Sequence, residues 1–254
     1  MKRVLLSAYA CSPNKGSEEG NGWSWAINLA RIGYEVHCLT NSLHRSEIEA
    51  ALAASPVKGL TFHFVKLPFS LDERLAHGSF TIYLHYKLWQ RSAGKTACRM
   101  HAAKPFDIGH HVTYGSLQQG SFLWRLAGIQ LIFGPVGGGQ QAPHALKHYF
   151  GKAWKIEQLR SLISRWSMRH NKNLRNTLQA ADHVLVTNKD TEAMVLKTGL
   201  VQPGKMQLVL DNAVPPSMES LAYNEPAQAG VLKLLWVGRV MPRKGLNLVL
   251  HALS

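Results

Sequence analysis

The chain is poor in cysteine, in acidic residues and in long apolar runs. It has three cysteines among 254 residues, and no two of them have the spacing of metal ligands. So few thiols, odd in number, are typical of a reducing compartment, and we expect a cytoplasmic protein. No apolar run reaches the roughly 18 residues that a membrane-spanning helix requires. The 13 histidines form no His-Glu-x-x-His or similar cluster, so we predict no metal site.

The charge of the chain is one-sided. It carries 29 Lys and Arg against 15 Asp and Glu, a net charge of +14. Such an excess indicates an anionic partner: nucleotide phosphates, nucleic acid or an acidic membrane surface. Apolar residues make up 46% and charged residues only 17%, which favours a folded core over disorder.

The first eleven residues combine two basic positions, a short apolar run and Cys11, a pattern similar to a lipoprotein signal. The apolar run is at the short limit for such signals, which span roughly 7–15 residues. We therefore interpret residues 3–9 as a first buried strand.

Short apolar runs alternate with segments of helical periodicity along most of the chain. This alternation predicts an α/β fold with a Rossmann-like parallel sheet and helices on both faces. The predicted strands are 3–9, 35–40, 60–67, 106–112, 130–133, 181–187 and 206–210. The predicted helices are 21–32, 45–54, 81–103, 153–180 and 190–197.

A composition shift follows the last of these strands. Three prolines fall in a segment without periodicity, which is typical of a linker. We predict an N-terminal domain over 1–215, a linker over 216–230 and the start of a second domain over 231–254. That start consists of a strand at 231–238 and a helix at 246–253. Because one strand and one helix cannot form a core, we expect the chain to be a fragment whose second domain is truncated.

Two glycine-containing segments follow predicted strands. The first includes Gly16, Ser17, Glu18, Gly20 and Gly22, and we expect a loop whose backbone amides approach an anion near a helix start. The alternative is a flexible connection with a capping side chain. The second, 134–139, contains Gly137 and Gly138 and predicts a backbone-lined wall or hinge, with a tolerated loop as the alternative.

Polar residues end the predicted strand 106–112. His110, His111, Thr113 and Tyr114 come at its carboxyl end, which is where open α/β sheets bind ligands. Adjacent strand residues face opposite sides, so one histidine is expected to face a cleft and the other the sheet. Two purely structural histidines are the alternative.

Two further segments are basic. Arg239 and Lys244 lie between the predicted strand 231–238 and the helix after it, a pattern that favours phosphate binding over an exposed basic turn. The segment 143–178 holds eight Lys and Arg and a single acid, with apolar residues at helical spacing. This amphipathic pattern predicts contact with an anionic membrane surface, or a core-packed helix with a solvated basic face.

In order and spacing these segments resemble the retaining glycosyltransferases of family 4, which have the GT-B fold of two facing Rossmann-like domains. The resemblance rests on GSEEGNGWSW (16–25), DIGHHVTYGS (107–116), GPVGGG (134–139), VLVTN (184–188), LDNAV (210–214) and VGRVMPRKGL (237–246). It implies that residues 1–215 form the acceptor-side domain and that 231–254 begin the donor-binding domain.

The resemblance also implies roles for individual residues. Arg239 and Lys244 would neutralise the diphosphate of a nucleotide-sugar donor without a metal, with the segment 16–22 facing the same phosphates. His111 would hydrogen-bond a hydroxyl of the sugar. The expected acceptor is a saccharide or a lipid-linked saccharide of cell-surface polysaccharide synthesis, and no cofactor is needed. The family's paired donor-binding glutamates lie further along than Ser254, so we expect this chain alone to be inactive.

Two other classes of function fit the sequence less well. A nicotinamide-dependent oxidoreductase needs glycines directly after the first strand, but Gly16 comes seven residues after Tyr9, and no acid follows the second strand. A non-catalytic basic module would bind an anionic membrane or nucleic acid, but no nucleic-acid recognition motif is present. We predict no nucleic-acid partner, and a location in the cytoplasm or on the inner face of the plasma membrane.

Overall fold

The computed structural model describes residues 1–78, 81–210 and 234–254. The chain divides into two compact units. The first unit is Met1–Gln140 with Trp166–Asn212, and the second is Gln141–Arg165 with Ala213–Ser254. The predicted linker falls on residues outside the described ranges, and the predicted domain boundaries stay predictions.

The first unit is built on one seven-stranded sheet whose strands all pair in parallel. The strand order is β3-β2-β1-β4-β5-β6-β7, which confirms the predicted Rossmann-like α/β fold. The strands are β1 (Arg3–Ser7), β2 (Glu35–Asn41), β3 (Leu60–Val65), β4 (Ile108–His111), β5 (Gln130–Val136), β6 (His183–Val186) and β7 (Met206–Leu208).

Helices connect the strands. They are α1 (Ser17–Arg31), α2 (Arg45–Ala54), α3 (Leu71–Leu75), α4 (Thr81–Ala103), α5 (Lys147–Phe150), α6 (Trp154–His170), α7 (Lys172–Ala180), α8 (Lys189–Leu196) and α9 (Leu246–Leu253). Short 3-10 helices occur as well, including Leu117–Gln119 and Phe122–Arg125 between β4 and β5. Helix α6 contributes residues to both units.

Side chains that alternate along the strands fill two separate cores. Val4 and Leu6 of β1 pack with α1 and α2 on one face of the sheet. Leu5 points to the other face, where Tyr86 and Trp89 of α4 pack with residues of α7 and α8. Period-two alternation between two apolar layers explains why the strands read as continuous apolar runs in the sequence.

The layer formed by α1 and α2 meets only part of the sheet. Trp25 and Leu29 of α1 border an apolar cavity of about 290 Å³ whose other wall is formed by β4 to β7, including Ile132 and Leu185. The right-handed crossovers of a parallel sheet explain this arrangement, because connections to the left and right of β1 lie on opposite faces.

Three sequence predictions are corrected by the structure. The segment predicted as a glycine loop, 16–22, is instead the first part of α1, which begins at Ser17. The predicted strand at 231–238 is not formed over 234–238, where the described residues have no regular structure. The predicted helix 153–180 is two helices, because Asn171 ends the first and caps the second.

The described residues contain no helix with the length and apolar character needed to cross a membrane. Of the three cysteines, Cys11 and Cys38 are buried, and Cys98 on α4 is exposed. The described ranges also contain no group of three or more His, Cys, Asp or Glu side chains placed to hold a metal ion.

Candidate functional site

The carboxyl ends of β1, β4 and β5 lie side by side at one edge of the sheet, and most of the predicted site residues are there. From β1 the chain continues to β2 on one side of β1, and after β3 it crosses to β4 on the other side. The strand order therefore reverses between β1 and β4. In open α/β sheets such a reversal leaves a crevice at the carboxyl ends of the strands, and ligands bind there.

Helix α1 starts directly above this edge. Its two first-turn carboxylates, Glu18 and Glu19, complement the helix dipole. Glu18 also accepts a hydrogen bond from the backbone N–H of Tyr114 at 2.7 Å, which ties the helix start to the end of β4. Ser17 has a left-handed backbone with φ of 57°, and Gly16 before it has open space around its Cα.

Gly20 and Gly22 serve close packing in this structure. A Cβ at Gly22 would lie 2.1 Å from the carbonyl oxygen of Ala10 and 3.1 Å from Cγ2 of Thr113. A Cβ at Gly20 would lie 2.3 Å from the carbonyl oxygen of Lys15. The two glycines therefore let α1 approach the chain that leaves β1, and a contact of either with donor phosphates stays a prediction.

Thr113 and Tyr114 link the end of β4 to the end of β1. Oγ1 of Thr113 accepts a hydrogen bond from the N–H of Ala10 at 3.1 Å. Tyr114 has a left-handed backbone, and its ring lies 5.2 Å from the ring of Tyr9 and 4.3 Å from that of Tyr86. Burial raises the pKa of the Tyr9 and Tyr114 phenols, so both stay neutral and act as hydrogen-bonding groups at neutral pH.

The two histidines of β4 face opposite sides of the sheet, and both are buried. Nε2 of His110 lies 2.8 Å from the carbonyl oxygen of Gly134, and its ring stands edge-on to Trp25. His111 is only 1% exposed, and its Nε2 lies 3.4 Å from the hydroxyl of Tyr86. Its Nδ1 is buried and has no hydrogen-bond partner among the described residues.

Desolvation lowers the pKa of both imidazoles. The pKa of His110 falls from 6.5 to about 4, and that of His111 falls to about 3. Both rings are therefore neutral at physiological pH. His110 borders the cavity beside Trp25, and His111 packs against Tyr86 and Phe133 on the other face. That one of them faces a ligand cleft stays a prediction.

The glycine segment after β5 completes the edge. The N–H of Gly137 donates to the carbonyl oxygen of Gly115 at 2.8 Å, so the segments after β4 and β5 run together. Gly138 has φ of 104°, a conformation that favours glycine. Gly139 packs against Thr191 of α8, and the N–H of Gly139 donates a hydrogen bond to Oγ1 of Thr191 at 3.1 Å. The structure thus places Gly137 beside Gly115, the neighbour of Tyr114 in the chain, and binding of a ligand at this edge stays a prediction.

Arg239 and Lys244 belong to the second unit. Both are exposed, and Lys244 ends the 3-10 helix Pro242–Lys244 just before α9 begins. Their neighbour Arg243 forms an ion pair with Glu157 at 3.3 Å. Neither Arg239 nor Lys244 forms an ion pair within the described ranges, so both charges remain available to an anion.

The apolar stripe predicted in the segment 143–178 lies mainly on α6. The sequence predicts that this stripe either faces a membrane surface or packs in a core. The stripe is largely exposed, whereas Trp154 and Glu157 on the other face are buried. Leu174 and Leu178, the residues of the predicted stripe that lie on α7, are buried in the core as the second alternative requires. The exposed residues are Leu159, Leu162, Ile163 and Trp166 of the stripe, with Ile156 beside them. The core-packed alternative is therefore wrong for these residues.

A buried polar chain beneath the edge had no signal in the sequence. The hydroxyl of Tyr9 lies 2.7 Å from Nδ1 of His85, and Nε2 of His85 lies 2.8 Å from Oδ1 of Asp72. Asp72 also accepts from the hydroxyl of Ser42 at 2.9 Å. These residues come from four separate segments, so only the folded chain shows that they meet.

Comparison with known proteins gives similarity of fold. No protein-family model matches the chain, and no curated protein does. Among solved structures, it is similar to sucrose-phosphate synthase from Thermosynechococcus elongatus, at 14% identity and a TM-score of 0.47 over 83% of this chain and 48% of that one. It is also similar to a putative UDP-N-acetylglucosamine 2-epimerase from Listeria monocytogenes, at 14% identity and a TM-score of 0.40 over 81% and 44%.

The chain therefore spans about half the length of these two solved structures. The sheet order defines its class on its own: an α/β protein with a Rossmann-like parallel sheet whose strand order reverses between β1 and β4.

Proposed function

We propose that the chain carries the acceptor-side domain of a GT-B glycosyltransferase that uses a nucleotide-sugar donor. The acceptor is a saccharide or a lipid-linked saccharide, and transfer retains the configuration of the sugar. The main support is the edge where β1, β4 and β5 end, because its contacts align backbone groups of three segments beside the start of α1. A helix start at the reversal of strand order suits a phosphorylated sugar.

In this proposal, positive charge stabilises the leaving group. Negative charge develops on the diphosphate as the bond to the sugar breaks, and Arg239 and Lys244 lower the barrier by neutralising it. His111 donates a hydrogen bond to a sugar hydroxyl and does not act as a nucleophile. Its low pKa keeps the imidazole neutral, which suits this role. Because the ring is buried, the role requires residues 112–116 to move when the substrates bind.

Calorimetric titration of the chain with uridine-, guanosine- and thymidine-diphosphate sugars tests the proposal. We expect one class to bind, and replacing Arg239 and Lys244 by Gln to weaken binding at least about tenfold, since a charge-assisted contact is worth about 1.5–3 kcal/mol. Replacing Lys189 and Lys197 by Gln is the matched control, because both are exposed and the change in net charge is the same. No binding of any nucleotide sugar, or binding of a nicotinamide dinucleotide instead, would contradict the proposal.

A second candidate role is peripheral membrane binding through α6. The exposed stripe of this helix supports it, since apolar side chains beside basic ones are typical of helices that lie in a membrane interface. Such contact would place the enzyme beside a lipid-linked acceptor.

Co-sedimentation with phosphatidylcholine vesicles, with and without phosphatidylglycerol, tests this role. We expect binding only to the anionic vesicles, and expect Leu159→Gln with Ile163→Gln to reduce it severalfold. Ile32→Gln is the control, because Ile32 is an exposed apolar residue away from α6. Equal binding by all variants would exclude the stripe as the contact surface.

A further inference from the structure

A groove in the first unit collects positive charge without any acidic residue. It has a volume of about 630 Å³ and lies between α4, the 3-10 helices after β4 and the start of α7. Its cationic residues include Lys87, Arg91, Arg125 and Lys172, and no Asp or Glu lines it in the part of the chain that the structure describes. A volume in the range of roughly 300–1,000 Å³ suits a small ligand.

No described acidic residue neutralises these cations. No ion pair with any described residue is formed by Lys87, Arg91, Arg125 or Lys172. The guanidinium of Arg125 lies over the Trp124 ring, 5.3 Å from its centre. Four like charges around one concave surface repel each other, and an anion bound among them removes that repulsion.

The base of the groove is held by side-chain amides. Nδ2 of Asn171 donates to the carbonyl oxygen of Gln118, and Nδ2 of Asn173 donates to that of Gln119, each at 2.7 Å. The indole N–H of Trp124 donates to Oδ1 of Asn173 at 2.7 Å. These bonds connect the start of α7 to the 3-10 helices, so the cations stand on a preformed surface.

The same groove exposes apolar and aromatic groups beside the charges. Trp166 is 63% exposed and Tyr83 is 51% exposed, and both line the groove. Exposed large apolar residues at a concave surface are typical of binding sites. The ligand therefore combines a strongly anionic group with an apolar portion.

We infer that this groove binds the phosphate or diphosphate of a lipid-linked ligand, with the lipid chain against Trp166 and Tyr83. The inference rests on the proposed function, in which it assigns the lipid-linked class to the acceptor and gives it a binding site. A nucleic acid would need a series of cations spaced along its backbone, whereas these cations surround a single concavity.

Calorimetric titration with geranyl diphosphate tests the inference, since this probe joins a diphosphate to a short prenyl chain. Inorganic pyrophosphate, geraniol and glucose 1-phosphate are the comparison ligands. We expect geranyl diphosphate to bind at least about tenfold more tightly than each of the three, because only it meets both kinds of surface. Pyrophosphate or glucose 1-phosphate binding as tightly as geranyl diphosphate would overturn the inference.

Variants locate the site. Arg91→Gln with Lys172→Gln should weaken the binding of geranyl diphosphate at least about tenfold, whereas Lys189→Gln with Lys197→Gln should change it less than about twofold. Trp166→Ala should weaken geranyl diphosphate but leave pyrophosphate binding unchanged. Equal losses of affinity in the Arg91/Lys172 and the Lys189/Lys197 double variants would overturn the inference. Because this titration contains no nucleotide sugar, its result can be interpreted even if the chain fails to bind a nucleotide-sugar donor.

Discussion

Gly22 is a position where the addition of a single methyl group is expected to lower stability substantially. Its missing side chain lets α1 contact the carbonyl oxygen of Ala10, where a Cβ would come within 2.1 Å. We predict that Gly22→Ala lowers the free energy of unfolding by about 2 kcal/mol, since overpacking costs typically 1–3 kcal/mol and exceeds the helix propensity gained. Urea unfolding measures the change.

Gly16→Ala is the control for this prediction. No atom lies within 4 Å of a Cβ at Gly16, and its φ of −91° suits any residue. We expect a loss smaller than about 1 kcal/mol, because Ala is less favourable than Gly at an N-cap but reduces the conformational entropy of the unfolded chain. A loss at Gly16 as large as that at Gly22 would show that the close contact is not the cause.

The buried histidines make the protein sensitive to acid. The pKa of His110 is about 4 in the folded chain, whereas in the unfolded chain it returns to about 6.5. Below that upper value only the unfolded chain takes up the proton, so stability is fully present above pH 6.5 and falls as the pH drops towards 4. For a single histidine the loss at pH 5 is on the order of 2 kcal/mol.

We predict that His110→Gln reduces this acid sensitivity. The Gln amide can donate to the carbonyl oxygen of Gly134, as the imidazole N–H does, but it does not titrate. The difference in unfolding free energy between about pH 7.5 and about pH 5 should shrink by on the order of 2 kcal/mol. An unchanged difference would show that His110 is accessible to protons in the folded chain.

At the level of single elements, Asn171 has two separable roles. Its Oδ1 accepts from the N–H groups of Asn173 and Leu174, which caps α7, and its Nδ2 binds the carbonyl oxygen of Gln118. We predict that Asn171→Ala costs about 1–2 kcal/mol of stability through the lost cap. Asn171→Asp keeps the cap but removes the donor, so it should cost less than Ala. Thermal unfolding of both variants measures the difference.

The strands and helices of the first unit follow closely from local pattern. The predicted helices 45–54 and 81–103 have the bounds of α2 and α4, because apolar residues recur at helical spacing between polar ends. Strand β5 is longer than predicted, since Gly134 and Pro135 continue it despite their low strand propensity. The pairing with β6 shifts register past these two residues and resumes at Val136, which pairs with Val186 and so extends the strand.

The start of α1 shows why part of the candidate site could not be predicted. Three glycines within seven residues, 16–22, indicate a loop by propensity alone. Packing against Ala10 favours glycine at Gly22, and this contact with the end of β1 is absent from local sequence. For the same reason the Tyr9–His85–Asp72 chain could not be predicted, because its members meet only after folding.

At the level of the whole molecule, the alternation of elements predicts a parallel sheet but not its strand order. The order places β1 in the interior of the sheet, between β2 and β4. That arrangement brings the segments after β1 and β4 together, although about a hundred residues separate Ala10 from Thr113, which share a hydrogen bond. The proximity of the predicted site residues thus depends on topology.

The net charge of +14 should oppose the compact state. We predict that raising NaCl from about 10 mM to about 150 mM increases the midpoint of thermal unfolding, because the screening length shortens to about 8 Å. A variant with Lys58, Lys95, Lys189 and Lys197 changed to Gln should show a smaller increase. A midpoint that falls with salt in the unmodified chain would contradict this.

Cys98 gives the protein a natural attachment point for a reporter. The other two sulfur atoms are enclosed in the core, so a maleimide dye should react with this one position in the native chain. Cys98 and Arg125 border a common hollow, and Arg125 also lines the cationic groove. A fluorophore placed there would sense occupancy of that groove through a change in its emission, without any engineered residue.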